Sequence, residues 1–200
     1  MKKTLTVLLA LVLVIAMSVA GTMAYLTSTD SVTNTFTVGN VKITLDEAKA
    51  SEYGVADNTV ARVQKNEYKL IPGHSYTKDP IIHVAANSED CYLFVKVVNG
   101  IKDYEAAGAT TIAAQMEANW KVVDANNGIY VYALDDAEKT VVSKNSNVTV
   151  FESFKIDGNA QLPASGNGLD VVVTAYAVQA DGFADMAAAD IWTTAGFAST

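Results

Sequence analysis

The chain has 200 residues, of which half are hydrophobic, and a formal net charge of −8. This length is enough for one domain with a substantial core, and the apolar content excludes a disordered or collagen-like chain. The acidic balance argues against nucleic acid or an anionic membrane surface as a partner, because like charges repel. Cys91 is the single cysteine, so an intramolecular disulfide is excluded and an apolar core must hold the fold.

Residues 1–24 have the features of a secretory signal peptide. Two lysines precede an uninterrupted apolar run from Val7 to Met17. Small residues occupy the −3 and −1 positions of a cut between Ala24 and Tyr25. The run is shorter than the roughly 18–20 residues that span a bilayer, although a retained anchor is the alternative if the cut fails. We therefore predict a secreted protein, in the extracellular matrix or at the cell surface, that meets the membrane only before cleavage.

Residues 25–40 are predicted to form a separate N-terminal extended strand. Apolar and hydroxyl-bearing residues alternate from Val32 to Val38, which is the period-2 pattern of a half-buried strand. The phase changes at Gly39-Asn40, after which the apolar positions are Val41, Ile43 and Leu45. One continuous strand cannot bury both sets on the same face. Gly39-Asn40 is therefore predicted to be a bend or break that frees the first strand to pair elsewhere.

Residues 41–200 are predicted to form one mainly β domain. Ala48–Asn66 is a polar excursion without a predicted form, and turns are predicted at Pro72-Gly73 and Asn127-Gly128. Leu169–Val178 is almost continuously apolar, which favours a central strand that is covered on both faces. The predicted strands are Val41–Leu45, Glu67–Leu70, Ile81–Ala85, Cys91–Val98, Trp120–Val123, Ile129–Ala133, Val148–Ile156 and Leu169–Val178.

Two short helices are predicted in the connections. One of two adjacent threonines can cap a helix that presents Ile112 and Met116 on one face. The alanine-rich segment 184–194 predicts a second helix, docked by Ile191 and Trp192. Many short strands with one or two helices predict two packed antiparallel sheets.

Three segments carry a family resemblance through their order along the chain. They are Ala24-Tyr25-Leu26 followed by Asn34–Val41, then Leu70–Val97 with its Pro72-Gly73 and Lys78-Asp79 pairs, and finally Ala175–Phe183. They resemble the TasA/camelysin family of secreted bacterial proteins, and the last segment resembles clostridia-like members in particular. The resemblance implies an antiparallel jelly-roll-like β-sandwich with short helices in its connections.

The resemblance also implies a function. Precursors of this family are cut by a dedicated signal peptidase, and the best-known members polymerise into biofilm matrix fibres. By analogy, the chain is expected to form a homopolymer, with Leu26, Val32, Phe36 and Val38 on the strand that adds to a neighbouring sheet. A monomeric cell-surface adhesion or binding module is the alternative, and a secreted camelysin-type metallopeptidase is a third hypothesis.

The sequence lacks the spacing of a conventional zinc peptidase. His74 and His83 are its two histidines, and no His-Glu-x-x-His pair is present. We therefore predict no catalytic residue, cofactor or metal ligand, and we expect Cys91 to be a small buried hydrophobe. Asp79 is expected to bond nearby backbone amides, as an aspartate does ahead of a turn or strand, and Asp135-Asp136 to lie in a solvated loop. Calcium is the alternative for such loop carboxylates, but the spacing of an EF-hand is absent.

Overall fold

The computed structural model describes residues 40–163 and 168–197, and over these residues the protein is mainly β. The two helices are short, α1 at Ile112–Met116 and α2 at Ala188–Thr194, and a 3-10 turn covers Lys102–Tyr104. The strands are β1 (Ile43–Asp46), β2 (Ser75–Thr77), β3 (Ile81–Val84), β4 (Cys91–Asn99), β5 (Trp120–Asp124), β6 (Ile129–Tyr132), β7 (Asn147–Thr149), β8 (Ser153–Lys155) and β9 (Val171–Gln179).

All pairs between these strands are antiparallel, and they form three sheets. The strand orders are β1-β3-β7, β2-β8 and β5-β6-β4-β9. The longest pairing joins β4 to β9 from Cys91 opposite Gln179 to Asn99 opposite Val171. The predicted antiparallel, mainly β fold is therefore confirmed, whereas the jelly-roll order of connections stays a prediction.

The four-stranded sheet is buried on both faces along the first half of β4, from Cys91 to Val95, which explains the nearly continuous apolar sequence there. On its inner face, Leu93 and Val95 belong to one core with Ile43, Ile82 and Phe154 from the two smaller sheets. The sheets thus pack face to face as a sandwich. The outer-face residues pack instead against α2 and Phe197, three residues beyond its end. This second core consists of Tyr92, Phe94, Ile129, Val131, Tyr176, Val178, Ala188, Ile191, Trp192 and Phe197.

The hairpin between β5 and β6 has the turn chemistry that its sequence predicts. Gly128 has φ +66°, and an added Cβ there would lie 2.3 Å from the carbonyl oxygen of Val97. Glycine is therefore required both by the backbone conformation and by the close approach of β4. Asp124 closes the turn, because its carboxylate accepts from the backbone of Asn126 and the side chain of Asn127.

Both predicted helices are confirmed, although each is shorter than its segment. Thr111 is the N-cap of α1, and its hydroxyl accepts from the backbone nitrogen of Ala114 at 3.2 Å. Ile112 and Met116 are buried on one face, as their spacing predicts. In α2, Ile191 and Trp192 are buried and dock the helix on the four-stranded sheet.

The prediction of one strand over Val148–Ile156 is wrong. The segment forms β7 and β8, which belong to different sheets. Val150 and Phe151 are both about 2% exposed, and two successive buried residues break the alternation of a single strand. Gln115 of α1 supports the break, since its Oε1 accepts from the backbone of Glu152 and Ser153.

The region between β1 and β3 also differs from its prediction. Glu67–Leu70 is not a strand, while the three-residue β2 follows the predicted turn at Pro72-Gly73. Residues 48–70 form an irregular surface segment, which we call the strap. Its backbone is held by isolated bridges, Glu47 to Val63 and Ala50 to Ala56. Three residues of β2 are too few for periodicity to predict a strand.

The prediction for β9 is met in part. Ala175, Tyr176, Ala177 and Val178 are buried, so both faces are covered in this half of the strand. Val172 is 40% exposed, so the outer face is open at the other end. In the order of the described strands, β9 lies beside β4.

Candidate functional site

The predicted cleavage and assembly residues lie outside the described residues. These are Ala24, Tyr25, Leu26, Val32, Phe36 and Val38. The described chain begins at Asn40, which is fixed to the turn before β4. Its side-chain Nδ2 donates to the backbone carbonyl of Asn87 at 3.2 Å, and its backbone carbonyl accepts from the backbone nitrogen of Glu89 at 3.1 Å. The N-terminal segment therefore joins the sandwich at a fixed point.

A groove runs between β1 and β9, which each end the order of described strands in their sheet. It has a volume of about 950 Å³. Its apolar lining includes buried Ile101 and Phe154. Its polar lining includes Glu47, Asn66 and Lys78. This mixture of apolar and charged groups suits an extended peptide better than a small apolar ligand.

Arg62 of the strap connects two carboxylates beside this groove. Its Nε pairs with Asp46 at the end of β1, and its Nη1 lies 2.9 Å from Oδ2 of Asp79. It also donates to the carbonyl oxygens of Asp79 at 2.8 Å and of Asp46 at 3.3 Å. Because the three side chains are 22–30% exposed, this cluster is only partly screened by water. It fastens the strap to the first sheet.

Asp79 bonds a backbone amide, but a distant one. Its Oδ1 accepts from the backbone nitrogen of Ala48, 31 positions earlier, at 2.7 Å, while Oδ2 pairs with Arg62. Sequence reasoning predicted a contact with nearby backbone amides and predicted neither of these partners. Arg62 lies 17 positions earlier in a segment without periodicity, so no local pattern could pair them.

A second polar cluster lies deeper, and sequence reasoning missed all three of its members. The carboxylate of Glu47 accepts from Lys78 Nζ at 2.6 Å and from Asn66 Nδ2 at 2.9 Å. The Glu47 and Lys78 side chains are 5% and 13% exposed. Tyr68 lies beside them, and burial, followed by the charges of Glu47 and Asp79, raises the pKa of its hydroxyl. The cluster is thus a desolvated polar site in the wall of the groove.

The two histidines lie apart and have different partners. His74 Nε2 is 2.8 Å from the carbonyl oxygen of Tyr53, in the turn region where it was expected. His83 in β3 lies between Asn147 Oδ1 at 2.7 Å and Asp46 Oδ1 at 3.0 Å. Within residues 40–163 and 168–197, no group of three or more histidine, cysteine or acidic side chains is arranged to hold a metal ion.

Cys91 is fully buried, in agreement with its prediction as a small hydrophobe. Burial, with a smaller contribution from the charge of Asp90, raises the pKa of the thiol to about 12. The thiol is therefore protonated at neutral pH, whereas nucleophilic chemistry needs the thiolate. Asp135-Asp136 forms an exposed turn, as expected of a solvated loop.

Comparisons with known protein families, curated proteins and solved structures find no match for this chain. The family resemblance of the sequence therefore stays a prediction. Among the described residues, no helix is long and apolar enough to cross a bilayer.

Proposed function

We propose that this protein is an exported structural subunit that polymerises through its N-terminal strand, residues 25–40. The observation that carries the proposal is the phase change at Gly39-Asn40, which separates this strand from β1. Its apolar residues alternate with hydroxyl groups, as expected of a strand that adds to another sheet. The ordered resemblance to the TasA/camelysin family supports the same role.

Two features of the described chain support this assembly. Asn40 is tied to the turn before β4, so a strand that leaves this point is tethered to a rigid body. The groove between β1 and β9 has an apolar floor and a peptide-sized volume. Burial of a Phe and two Val side chains contributes roughly 1.5–3 kcal/mol each before ordering costs, which is sufficient for an interface repeated along a fibre.

Deletion of residues 25–38 tests the proposal. The processed protein should form fibres in negative-stain electron microscopy, and the deleted protein should stay a folded monomer. Phe36→Asp should have the same effect, because it places a charge on the apolar face. Thr37→Asp is the matched control, since it places the same charge on the opposite face and should assemble. A deleted protein that unfolds, or that still forms fibres, contradicts strand addition.

The groove also favours a second candidate, a monomeric adhesion or binding module. Its charged wall and apolar floor could hold an extended peptide from another protein. Sedimentation of the processed protein separates the candidates. A concentration-independent monomer without fibres favours the binding module, and growing polymers favour the structural subunit.

A further inference from the structure

Three polar side chains that line the groove have the arrangement of a reactive site. Glu47 bridges Lys78 and Asn66 through its two carboxylate oxygens, at 2.6 Å and 2.9 Å. One carboxylate thus holds an amine, which is a potential nucleophile, beside a primary amide, which is a potential acyl group. The carboxylate and the amine are withdrawn from water, since the Glu47 and Lys78 side chains are 5% and 13% exposed, and Asn66 is half-buried.

Backbone contacts hold each member in place. Glu47 exchanges two hydrogen bonds of 2.8 Å with the backbone of Val63. The amide of Asn66 is fixed at both ends: Oδ1 accepts from the backbone nitrogen of Ala50 at 2.8 Å, and Nδ2 donates to the carbonyl of Ala48 at 2.7 Å. Such preorganisation keeps the amine and the amide on the same carboxylate.

The donor to Oδ1 of Asn66 has a chemical consequence. A backbone N–H directed at an amide oxygen stabilises the negative charge that develops there when a nucleophile attacks the carbonyl carbon. Ala50 supplies that N–H. Glu47 contacts both the attacking nitrogen and the leaving nitrogen, so it is placed to take a proton from the first and give it to the second.

We propose that Lys78 and Asn66 form an intramolecular isopeptide bond, with Glu47 as the proton carrier. Glu47 accepts a proton from Nζ of Lys78, and the neutral amine attacks Cγ of Asn66. The tetrahedral intermediate then collapses as the Cγ–Nδ2 bond breaks. Glu47 passes to Nδ2, one after the other, the two protons that Nζ loses, and Nδ2 leaves as ammonium. The new Nζ–Cγ amide needs no oxidant, reductant or co-reactant, and Glu47 ends as it began.

The bond would close a covalent loop from residue 66 to residue 78, which contains the Pro72-Gly73 turn and β2. It would join the end of the strap to the segment that leads into β3. A segment held mainly by polar contacts would thereby resist unfolding and proteolysis. This inference does not depend on fibre assembly, and its test has a separate readout.

Mass spectrometry of the purified full-length secreted protein tests the bond directly. Loss of one ammonia lowers the mass of the chain by about 17 Da. After denaturation and trypsin digestion, the bond should give a branched peptide in which Asn66–Lys69 is attached to Leu70–Lys96 through Lys78. The branched peptide locates the bond whatever the position of the N-terminus.

Matched variants identify the roles of the three residues. Lys78→Arg retains a cation for Glu47 but not the amine, and Glu47→Gln removes the proton carrier. Both variants should therefore have the mass calculated from their sequence, without the loss of ammonia, and should give linear peptides. Lys65→Arg is the control, since Lys65 is 77% exposed and pairs with Glu67 at the surface. It should retain the branched peptide.

The wild-type digest decides the question even if a variant does not fold. Linear Asn66–Lys69 and Leu70–Lys78 peptides from folded, aged wild-type protein would overturn the proposal. A gain of about 1 Da at Asn66 would also overturn it, because water rather than Lys78 would then have attacked the amide. A branched peptide that persists in Glu47→Gln would retain the bond but refute the role of Glu47.

Discussion

The strap, residues 48–70, and the C-terminal region 186–197, which we call the cap, both cover the sandwich but are held by different forces. The strap is fastened by Arg62, which pairs with Asp46 and Asp79. The cap is held by packing of aromatic rings, with Trp192 at 5.0 Å from Tyr176 between ring centroids. Little regular structure is needed in either region, because tertiary contacts hold the chain.

The difference follows from the side chains available. The middle of the strap exposes its apolar residues, since Val55 and Val60 are 68% and 49% exposed, so apolar burial contributes little between its two ends. Directional, charge-assisted hydrogen bonds from Arg62 to fixed carboxylates hold this part of the strap instead. The cap buries Ile191 and Trp192 on the outer face of the four-stranded sheet. The stabilisation from this burial is roughly proportional to the apolar area buried and is insensitive to salt. The two regions should therefore respond differently to mutation and solution conditions.

The largest effect is expected from loss of the main ring of the cap. Trp192→Ala should lower the free energy of unfolding by about 3–5 kcal/mol, because it leaves a cavity among Phe94, Tyr176 and Phe197. Urea denaturation measures the change. Val122→Ala is the control, since Val122 is 59% exposed and its truncation should have little effect. Equal losses in the two variants would mean that the cap does not stabilise the fold.

A smaller effect is expected in the strap. Arg62→Met should cost about 1–3 kcal/mol, less than for a fully buried pair, because the paired side chains are 22–30% exposed. Limited proteolysis should show earlier cutting within residues 48–70, and the wild-type advantage should shrink at high salt. Lys65→Met removes an exposed pair and should change stability by less than about 1 kcal/mol. Unaltered proteolysis in Arg62→Met would show that the cluster does not fasten the strap.

The smallest effect is expected in the pH dependence of stability from Glu105. This carboxylate has uncharged hydrogen-bond partners, unlike Asp46 and Asp79, which pair with Arg62. Burial raises the pKa of Glu105, opposed by hydrogen bonds from the Ile112 backbone and from Asn99. With the folded pKa above the unfolded one, its stabilising contribution is full below the unfolded pKa and is lost as pH rises through the folded pKa. The stability of wild type relative to Glu105→Gln should therefore fall as pH rises from about 4. Urea titrations at several pH values measure this difference.

The control for that titration is Glu67→Gln at an exposed carboxylate. The Glu67 side chain is 84% exposed and pairs with Lys65 at the surface, so this substitution should change the stability by less than about 1 kcal/mol. A relative stability that rises with pH for Glu105→Gln would contradict the assigned direction of the shift.

Local patterns predicted elements wherever a residue's neighbours in sequence are also its neighbours in space. The apolar run of β4, the Asn127-Gly128 turn and the spacing of Ile112 and Met116 are of this kind. The failure at Val148–Ile156 is instructive, because the break depends on Gln115, which lies 37 and 38 positions from its backbone partners. A β-rich composition does not specify where a chain crosses between sheets.

The polar sites were less predictable than the fold. Glu47, Asn66 and Lys78 are ordinary surface residues in the sequence, and separations of 19 and 31 positions carry no periodic signal. Only Asp79 was singled out, because an aspartate before proline has a local backbone role. Its pairing with Arg62 depends on the path of the strap.

The sequence by itself determined a mainly β domain, both helices and the buried thiol, because hydrophobic periodicity and capping act over a few residues. It also carries the predicted signal peptide and assembly strand. Only the tertiary structure decided the separation of β7 from β8 and the charge clusters beside the strap. These depend on contacts between distant segments, and a polar side chain becomes a buried partner only after the sheets have packed around it.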